Sequence, residues 1–322
     1  MDSKQQHYVP RFLLKNFTTG KKPYIWVFDK HKEVSFRTNI KNIAAEKGFY
    51  NFETADSTLT LEPGLAHLED RTSSILSELL KSKKLSILKE DSRVVLSFFM
   101  AVQFVRTKEH RLILKSLSDA LINKLKQMGA SDEEVSRFIA SEDDDKISSL
   151  KLILDAKKFA PHFLNKTWML FETSISAPLY ISDNPMTLDN QLDHSPYGNL
   201  GLAVRGIEIY LPLSTTICLG FICPSIGEEV VKAEQNFRIL DQMDPGTAEG
   251  LLKDPVGTRE YCKRVVNGTP IALKHENVMR LNSLQVRFSS RFVYCETDDF
   301  DLVRTMIKDN PKSREELKPT FN

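Results

Sequence analysis

His7, Arg11, Gln103, Arg106, Ser182, Asp183 and Asn184 have the types and neighbours that chemistry needs. In the stretch His7-Tyr8-Val9-Pro10-Arg11, Val9 is pushed toward extended geometry by the proline after it. Pro10 has the fixed φ that suits the first position of a helix. His7 then sits just outside a helix N-terminus, where unpaired N–H groups favour an anion, and Arg11 lies at the same end. A phosphate or carboxylate could be held there with an imidazole in reach for proton transfer. The plainer reading, favoured by these residues alone, is that His7 packs or caps and Arg11 pairs with a carboxylate. Ser182-Asp183-Asn184-Pro185 follows a strand-like run, and turn chemistry explains it without function, since Asp and Asn bond nearby backbone and Pro stops the strand. From these residues alone that is the better explanation, yet strand ends also present catalytic carboxylates, so Asp183 remains a candidate base, metal ligand or imidazole partner. Gln103, Arg106 and Thr107 are polar groups at the end of an apolar helix, where they either line a cleft or begin its exposed continuation.

Other patterns carry less. Arg106 and His110 are closer together than the Arg/His pair of helical ribonucleases requires. His162 and His194 lack ligands at metal spacing, and Glu142 to Asp145 lacks the glycine and terminal glutamate of a calcium loop, which leaves a solvated loop or a helix start. Gly198, Gly201 and Gly206 do not have the spacing of a nucleotide-binding fingerprint, and neither a G-x-S-x-G turn nor a P-loop lysine occurs. Metal and cofactor are left open by the sequence.

The elements that must position these residues are read from periodicity. Leu13, Leu14 and Phe17 give the first helix a short apolar face that Gly20 ends. Residues 24–28 and 34–36 read as a small N-terminal β-hairpin, and residues 40–47 as a brief helical piece. Glu62-Pro63 opens an amphipathic helix, and a second helix from about Asp91 is apolar almost all round, so it is expected to be central and buried. Helical spacing continues to Gly129 and resumes at Ser131. Residues 168–172 and 179–181 read as an antiparallel pair, and residues 207–211 and 217–221 as a hairpin. Helices over 228–243, 258–266 and 270–288, a strand over 291–296 and a helix over 299–308 complete the chain. The fold class is therefore α+β, mostly helical with a central, largely antiparallel sheet. We read residues 1–322 as one domain with a variable helical segment at about 108–165 and a mobile tail at about 309–322.

Composition narrows the function classes. The chain has 322 residues and a net charge of +1, so neither a strongly basic nucleic-acid binder nor an acidic tail protein is signalled. Residues 1–50 do carry ten Lys/Arg against four Asp/Glu, enough for a modest basic patch. The start is polar and the longest apolar run, near Val94 to Val105, is too short to span a bilayer, so the chain reads as cytoplasmic with no membrane partner. Cys218, Cys223, Cys262 and Cys295 show no CxxC spacing and read as buried reduced thiols.

Taken together in order, the His7 to Phe17 block, Tyr24 to Asp29, Gly48-Phe49-Tyr50, Gln103 to Thr107, Ser182 to Pro185 and Leu211-Pro212-Leu213-Ser214 resemble the bacterial family known as domain of unknown function 4238. The resemblance covers most of the chain outside residues 108–165 and implies antiphage defence as a setting. With it, two readings stand. In the first, His7, Arg11, Arg106 and Asp183 converge on one cleft. His7 acts as general acid/base, Asp183 orients it or a cation, the arginines hold a phosphate, and Gln103, Ser182 and Asn184 help bind substrate. The reaction is then phosphodiester cleavage or nucleotide hydrolysis, with nucleic acid or a nucleotide as partner. In the second, the protein is a non-catalytic sensor or scaffold whose first block is an N-terminal hook docked into the core by bonds from His7 to Asp183 and from arginine to carboxylate. A block fully buried and saturated by internal hydrogen bonds favours the hook, and an open cleft holding His7 and Asp183 favours the enzyme.

Overall fold

The computed structural model describes residues 5–20, 22–53, 57–136, 142–194, 199–243 and 254–315. In chain order its elements are β1 (Gln5–His7), α1 (Arg11–Leu14), β2 (Tyr24–Asp29), β3 (Val34–Asn39), β4 (Ala45–Lys47), β5 (Asn51–Glu53) and β6 (Thr58–Thr60). A helical stretch follows, with α2 (Glu62–Ser82), α3 (Glu90–Val105), α4 (Lys108–Gln127), α5 (Asp132–Ser136), α6 (Glu142–Leu154) and α7 (Ala160–Leu164). The second half holds β7 (Thr167–Glu172), β8 (Ile181–Ser182), β9 (Thr187–Asp189), β10 (Glu208–Pro212) and β11 (Ile217–Ile222). It ends with α8 (Pro224–Met243), α9 (Pro255–Asn267), β12 (Ile271–Ala272), α10 (His275–Phe288), β13 (Phe292–Cys295) and α11 (Asp301–Asp309).

Two sheets organise the molecule. The larger has the order β12-β7-β11-β10-β9 and is antiparallel except where the two-residue β12 joins β7. The smaller, β3-β2-β13-β8, is antiparallel throughout and contains the expected hairpin, with Tyr24 opposite Asn39 and Asp29 opposite Val34. The chain is thus α+β with a largely antiparallel central sheet. Residues alternate across the larger sheet with period two. Trp168 and Phe221 lie on the face toward the first helices, where both rings are buried and the Trp168 indole donates to the Phe163 carbonyl. Helix α3 packs against α2, α6 and α7 on that side, and Leu96, Phe99 and Met100 are fully buried as expected. Helix α10 contacts strands of both sheets, β8 in one and β9 in the other. Phe28, Tyr180, Val293 and Phe300 form a smaller apolar cluster under the second sheet with α11.

Three expected elements differ. The helix expected over 270–288 begins at His275, because Ile271 and Ala272 pair with β7 as β12. Residues 40–47 are not helical: a short 3-10 turn at Ile40–Asn42 leads to Ala44, held at φ 49°, and then to β4. The left-handed backbone at Ala44 interrupts any helix there and frees the next residues to pair with β1. Residues 168–172 and 179–181 do not pair with each other, because β7 joins β11 while Ile181 and Ser182 join β13 in the other sheet. The Leu179 N–H donates to Thr215 and the Tyr180 N–H to the Asn282 side chain, which carries the chain out of the first sheet. The Glu142 to Asp145 run opens helix α6. Of the expected mobile tail, residues 311–314 form a 3-10 turn and Arg314 pairs with Glu33, while residues 316–322 lie outside the described residues. Gly198, at the start of the glycine-bearing loop, also lies outside them.

Candidate functional site

The first block is tied into the core through its backbone. Strand β1 pairs with β4, and Val9, Leu13, Leu14 and Phe17 are wholly buried beneath it. The Gln103 amide donates to the Tyr8 carbonyl at 3.1 Å, and Arg106 Nε donates to Gln103 Oε1 at 2.9 Å. Arg106 is 1 % exposed; its Nη1 donates to Glu69 at 2.7 Å and its guanidinium lies 5.6 Å from the Phe99 ring centre. Gln103 and Arg106 therefore link the first block to α2 and α3 and do not begin an exposed continuation. Gln6 accepts from the Tyr50 N–H, and the Tyr50 hydroxyl donates to the His7 carbonyl.

The Ser182-Asp183-Asn184-Pro185 turn is as fully engaged. Asp183 is 1 % exposed and accepts from the Ser290 N–H and hydroxyl and from the Arg291 and Phe292 N–H groups, all at 2.8 to 2.9 Å. Burial pushes its carboxyl up from the usual range, and those donors and the Lys30 ammonium oppose that shift. Ser182 donates to Gln285, Gln285 donates to the Pro185 carbonyl, and Asn184 donates to the Phe288 carbonyl. Thr107, the cap of α4, donates to Asn184 Oδ1 at 3.1 Å, so the end of α3 and the turn meet directly.

The structure thus brings Gln103, Arg106 and the Tyr8 backbone into one chain of bonds, and Thr107, Ser182, Asn184 and Gln285 into another. Among the described residues no hydrogen bond or ion pair joins His7 to Asp183. The His7 ring is half-buried, with Nε2 buried and unpartnered. Desolvation lowers its pKa below the ordinary 6.5, assisted by Arg11 and Arg106 and opposed by the carbonyls of Ile40 and Lys41. Arg11 is exposed and lines a shallow depression of about 400 Å³ with Lys15, Lys22 and Ile40. His110 meets the Phe104 ring edge-on, centres 5.5 Å apart, and burial pushes its pKa down to about 4. Among the described residues no group of three His, Cys, Asp or Glu could hold a metal ion, and no helix is long and apolar enough to cross a membrane. All four cysteines are buried and free.

A pocket that our sequence reading did not identify lies on the other face of the larger sheet. Period-two alternation puts Met169 and Phe171 of β7, Gly220 and Ile222 of β11, and Glu208 and Tyr210 of β10 on that face. Tyr261 of α9 and Arg280 of α10 close over them, leaving a cavity of about 170 Å³. Gly220 makes room for the Phe171 ring, since a Cβ there would stand 2.6 Å from Phe171 Cε2. Asp189 and Glu208 are directly opposite on β9 and β10, a like-charge pairing that costs stability unless it is bridged. Arg280 bridges it, donating from Nε and Nη2 to Asp189 and from Nη2 to Glu208 Oε2 at 2.9 Å. Tyr210 donates to the same Oε2, while among the described residues Glu208 Oε1 has no hydrogen bond. Among the described residues the Tyr261 hydroxyl has only the Met169 sulfur as partner, at 3.9 Å. The legible signal for this site was the alternation Glu208-x-Tyr210 facing Met169-x-Phe171 across a glycine.

No curated protein and no solved structure was found to match the chain. One family model does match, that described as Protein of unknown function (DUF4238), over residues 5–299, a span that includes the helical segment at 108–165. With nearly its whole length inside that match, the chain belongs to the DUF4238 family.

Proposed function

We propose that the protein is a non-catalytic small-molecule sensor in the antiphage setting implied by the family resemblance. The motif block serves as a structural junction, and recognition falls to the pocket over the larger sheet. The observation that carries this reading is the commitment of Asp183. Its carboxylate is buried and accepts four hydrogen bonds from residues 290–292, three of them at Oδ2, and among the described residues none comes from His7. In the pocket, by contrast, a carboxylate oxygen without a hydrogen bond and a tyrosine hydroxyl held by a thioether stand beside open volume. Purified protein incubated with mixed RNA, DNA and nucleotides, with and without divalent metal, is expected to leave all of them intact.

One observation favours the second reading, hydrolysis of a phosphodiester or nucleotide: His7 Nε2 and Arg106 Nη2 are both buried without partners. In that reading His7 is the general base, Arg11, Gln103 and Arg106 hold the substrate, and Asp183, Ser182 and Asn184 support them. Cleavage that disappears in His7→Ala while the melting temperature holds would select it over the sensor.

A further inference from the structure

The pocket's lining specifies the kind of ligand it takes. Glu208 and Arg280 line the cavity, and Asp189, opposite Glu208 on β9, pairs with the same guanidinium, so the three side chains sum to one negative charge. Among the described residues Glu208 Oε1 and Arg280 Nη1 have no hydrogen bond, and the net charge favours a cation at the carboxylate oxygen. Around it stand the faces and edges of Phe171, Tyr210 and Tyr261, with the Phe171 and Tyr210 ring centres 5.8 Å apart. Aromatic rings attract a cation through their quadrupoles, most strongly where water is excluded, and a nearby carboxylate adds direct attraction. Met169, Ile222, Ile226, Leu273 and Leu281 supply apolar wall for an uncharged remainder. About 170 Å³ is comparable to the cavities that hold a single benzene ring, which bounds the ligand to a compact molecule.

We propose that this pocket binds a small organic ammonium ion, primary or quaternary, whose nitrogen sits against Glu208 and the rings of Tyr210 and Tyr261 and whose apolar body lies over Gly220. The assignment rests on the sensor reading and names its ligand class. Gly220 is part of the device, because a side chain there would drive the Phe171 ring into the space the ligand needs.

Calorimetric titration of the whole chain with choline, benzylamine, the carbon isostere of choline and benzoate tests it. Choline or benzylamine is expected to bind saturably, and the neutral isostere and benzoate at least roughly tenfold more weakly. Glu208→Gln and Tyr261→Ala should each weaken the cation roughly tenfold. Gly220→Ala should weaken it without touching any charge, and Tyr261→Ala alters a half-exposed helix position, so a folding defect in Glu208→Gln leaves the test intact. Equal or tighter binding of benzoate or the isostere overturns the cation assignment but leaves a ligand-binding pocket. Cation binding that survives both Glu208→Gln and Tyr261→Ala overturns the location. Binding by none of the four probes overturns the assignment, and nucleic-acid cleavage lost in His7→Ala is the separate result that overturns the sensor reading.

Discussion

Replacing Asp183 separates a structural carboxylate from a catalytic one, because the two roles predict opposite outcomes for stability. Asp183→Ala removes the acceptor of three backbone N–H groups and one hydroxyl, at a side chain that is 1 % exposed. It also removes a negative charge near the buried Lys30 ammonium, which donates to the Val286 and Ser289 carbonyls. A buried donor left unpaired costs about 1–3 kcal/mol, but the groups relax together, and breaking a buried charged network typically costs about 3–5 kcal/mol in all. Set against a total stability of about 5–15 kcal/mol, about 4 kcal/mol is a large loss. For a chain of this size it corresponds to a fall of roughly 6 °C in melting temperature. Asp183→Asn keeps one acceptor oxygen but turns an amide NH₂ toward donors, so it should fall between Ala and wild type. Thermal and urea melts followed by circular dichroism measure both variants. His7→Ala is the control: its ring is half-buried, and the hydrogen bond from Tyr50 goes to its backbone carbonyl, which the substitution keeps. If Asp183→Ala melts within about 1 kcal/mol of wild type, the junction argument is wrong.

Two other outcomes follow from the titrating groups. His110 has a folded pKa of about 4, below its unfolded value, so the unfolded chain binds more protons in between. Its contribution is complete above pH 6.5 and is lost as pH falls toward 4, by up to about 3 kcal/mol, and His110→Phe should flatten that part of a stability profile measured by urea melts from pH 7 to pH 4. Among the thiols, burial pushes Cys218 up, whereas at Cys223 desolvation is outweighed by the Ser225 hydroxyl, backbone amides and Lys166, which together lower its pKa. Iodoacetamide labelling read by mass spectrometry should therefore modify Cys223 before Cys218 in the native protein, and both readily in denaturant.

Much of the fold could be read from local pattern. The β2–β3 hairpin, helix α3 and the β10–β11 hairpin each carry their own periodicity and their own ends, so neighbouring residues suffice to define them. Pairing at long range was less legible. Residues 179–181 look like a partner for β7 because they are next in sequence and equally apolar, yet what decides their sheet is Asn282, about a hundred residues on, which accepts from the Tyr180 N–H and donates to the Pro178 carbonyl. At residues 40–47, composition suits a helix, and only the positive φ of Ala44 shows why none forms. The candidate site divides the same way. The motif residues could be named because each is a polar group placed at an element end. Their convergence on internal partners could not be foreseen, since those partners, Glu69, Gln285 and the 290–292 turn, are ordinary surface types in the sequence. Arg280 was equally silent, one arginine among many until α10 is laid across β9 and β10.

Polar residues at element ends admit two physical explanations, and the hydrogen-bond partners distinguish them. Where helices cross two sheets, carbonyls and N–H groups at the ends of elements are cut off from both ladder and water, and each must find a partner. Gln103 satisfies the Tyr8 carbonyl, Asn184 the Phe288 carbonyl, Gln285 the Pro185 carbonyl and Lys30 the carbonyls of Val286 and Ser289. That is the work a layered junction demands, and it consumes the same donors that a substrate would need. A recognition site shows the opposite economy: it holds its side chains in place with some valences and leaves others facing open space. Glu208 fits this second description, fixed at one oxygen by Tyr210 and Arg280 and free at the other. The pocket face of the larger sheet is therefore the stronger place to look for a ligand, although the motif residues at the junction lie elsewhere.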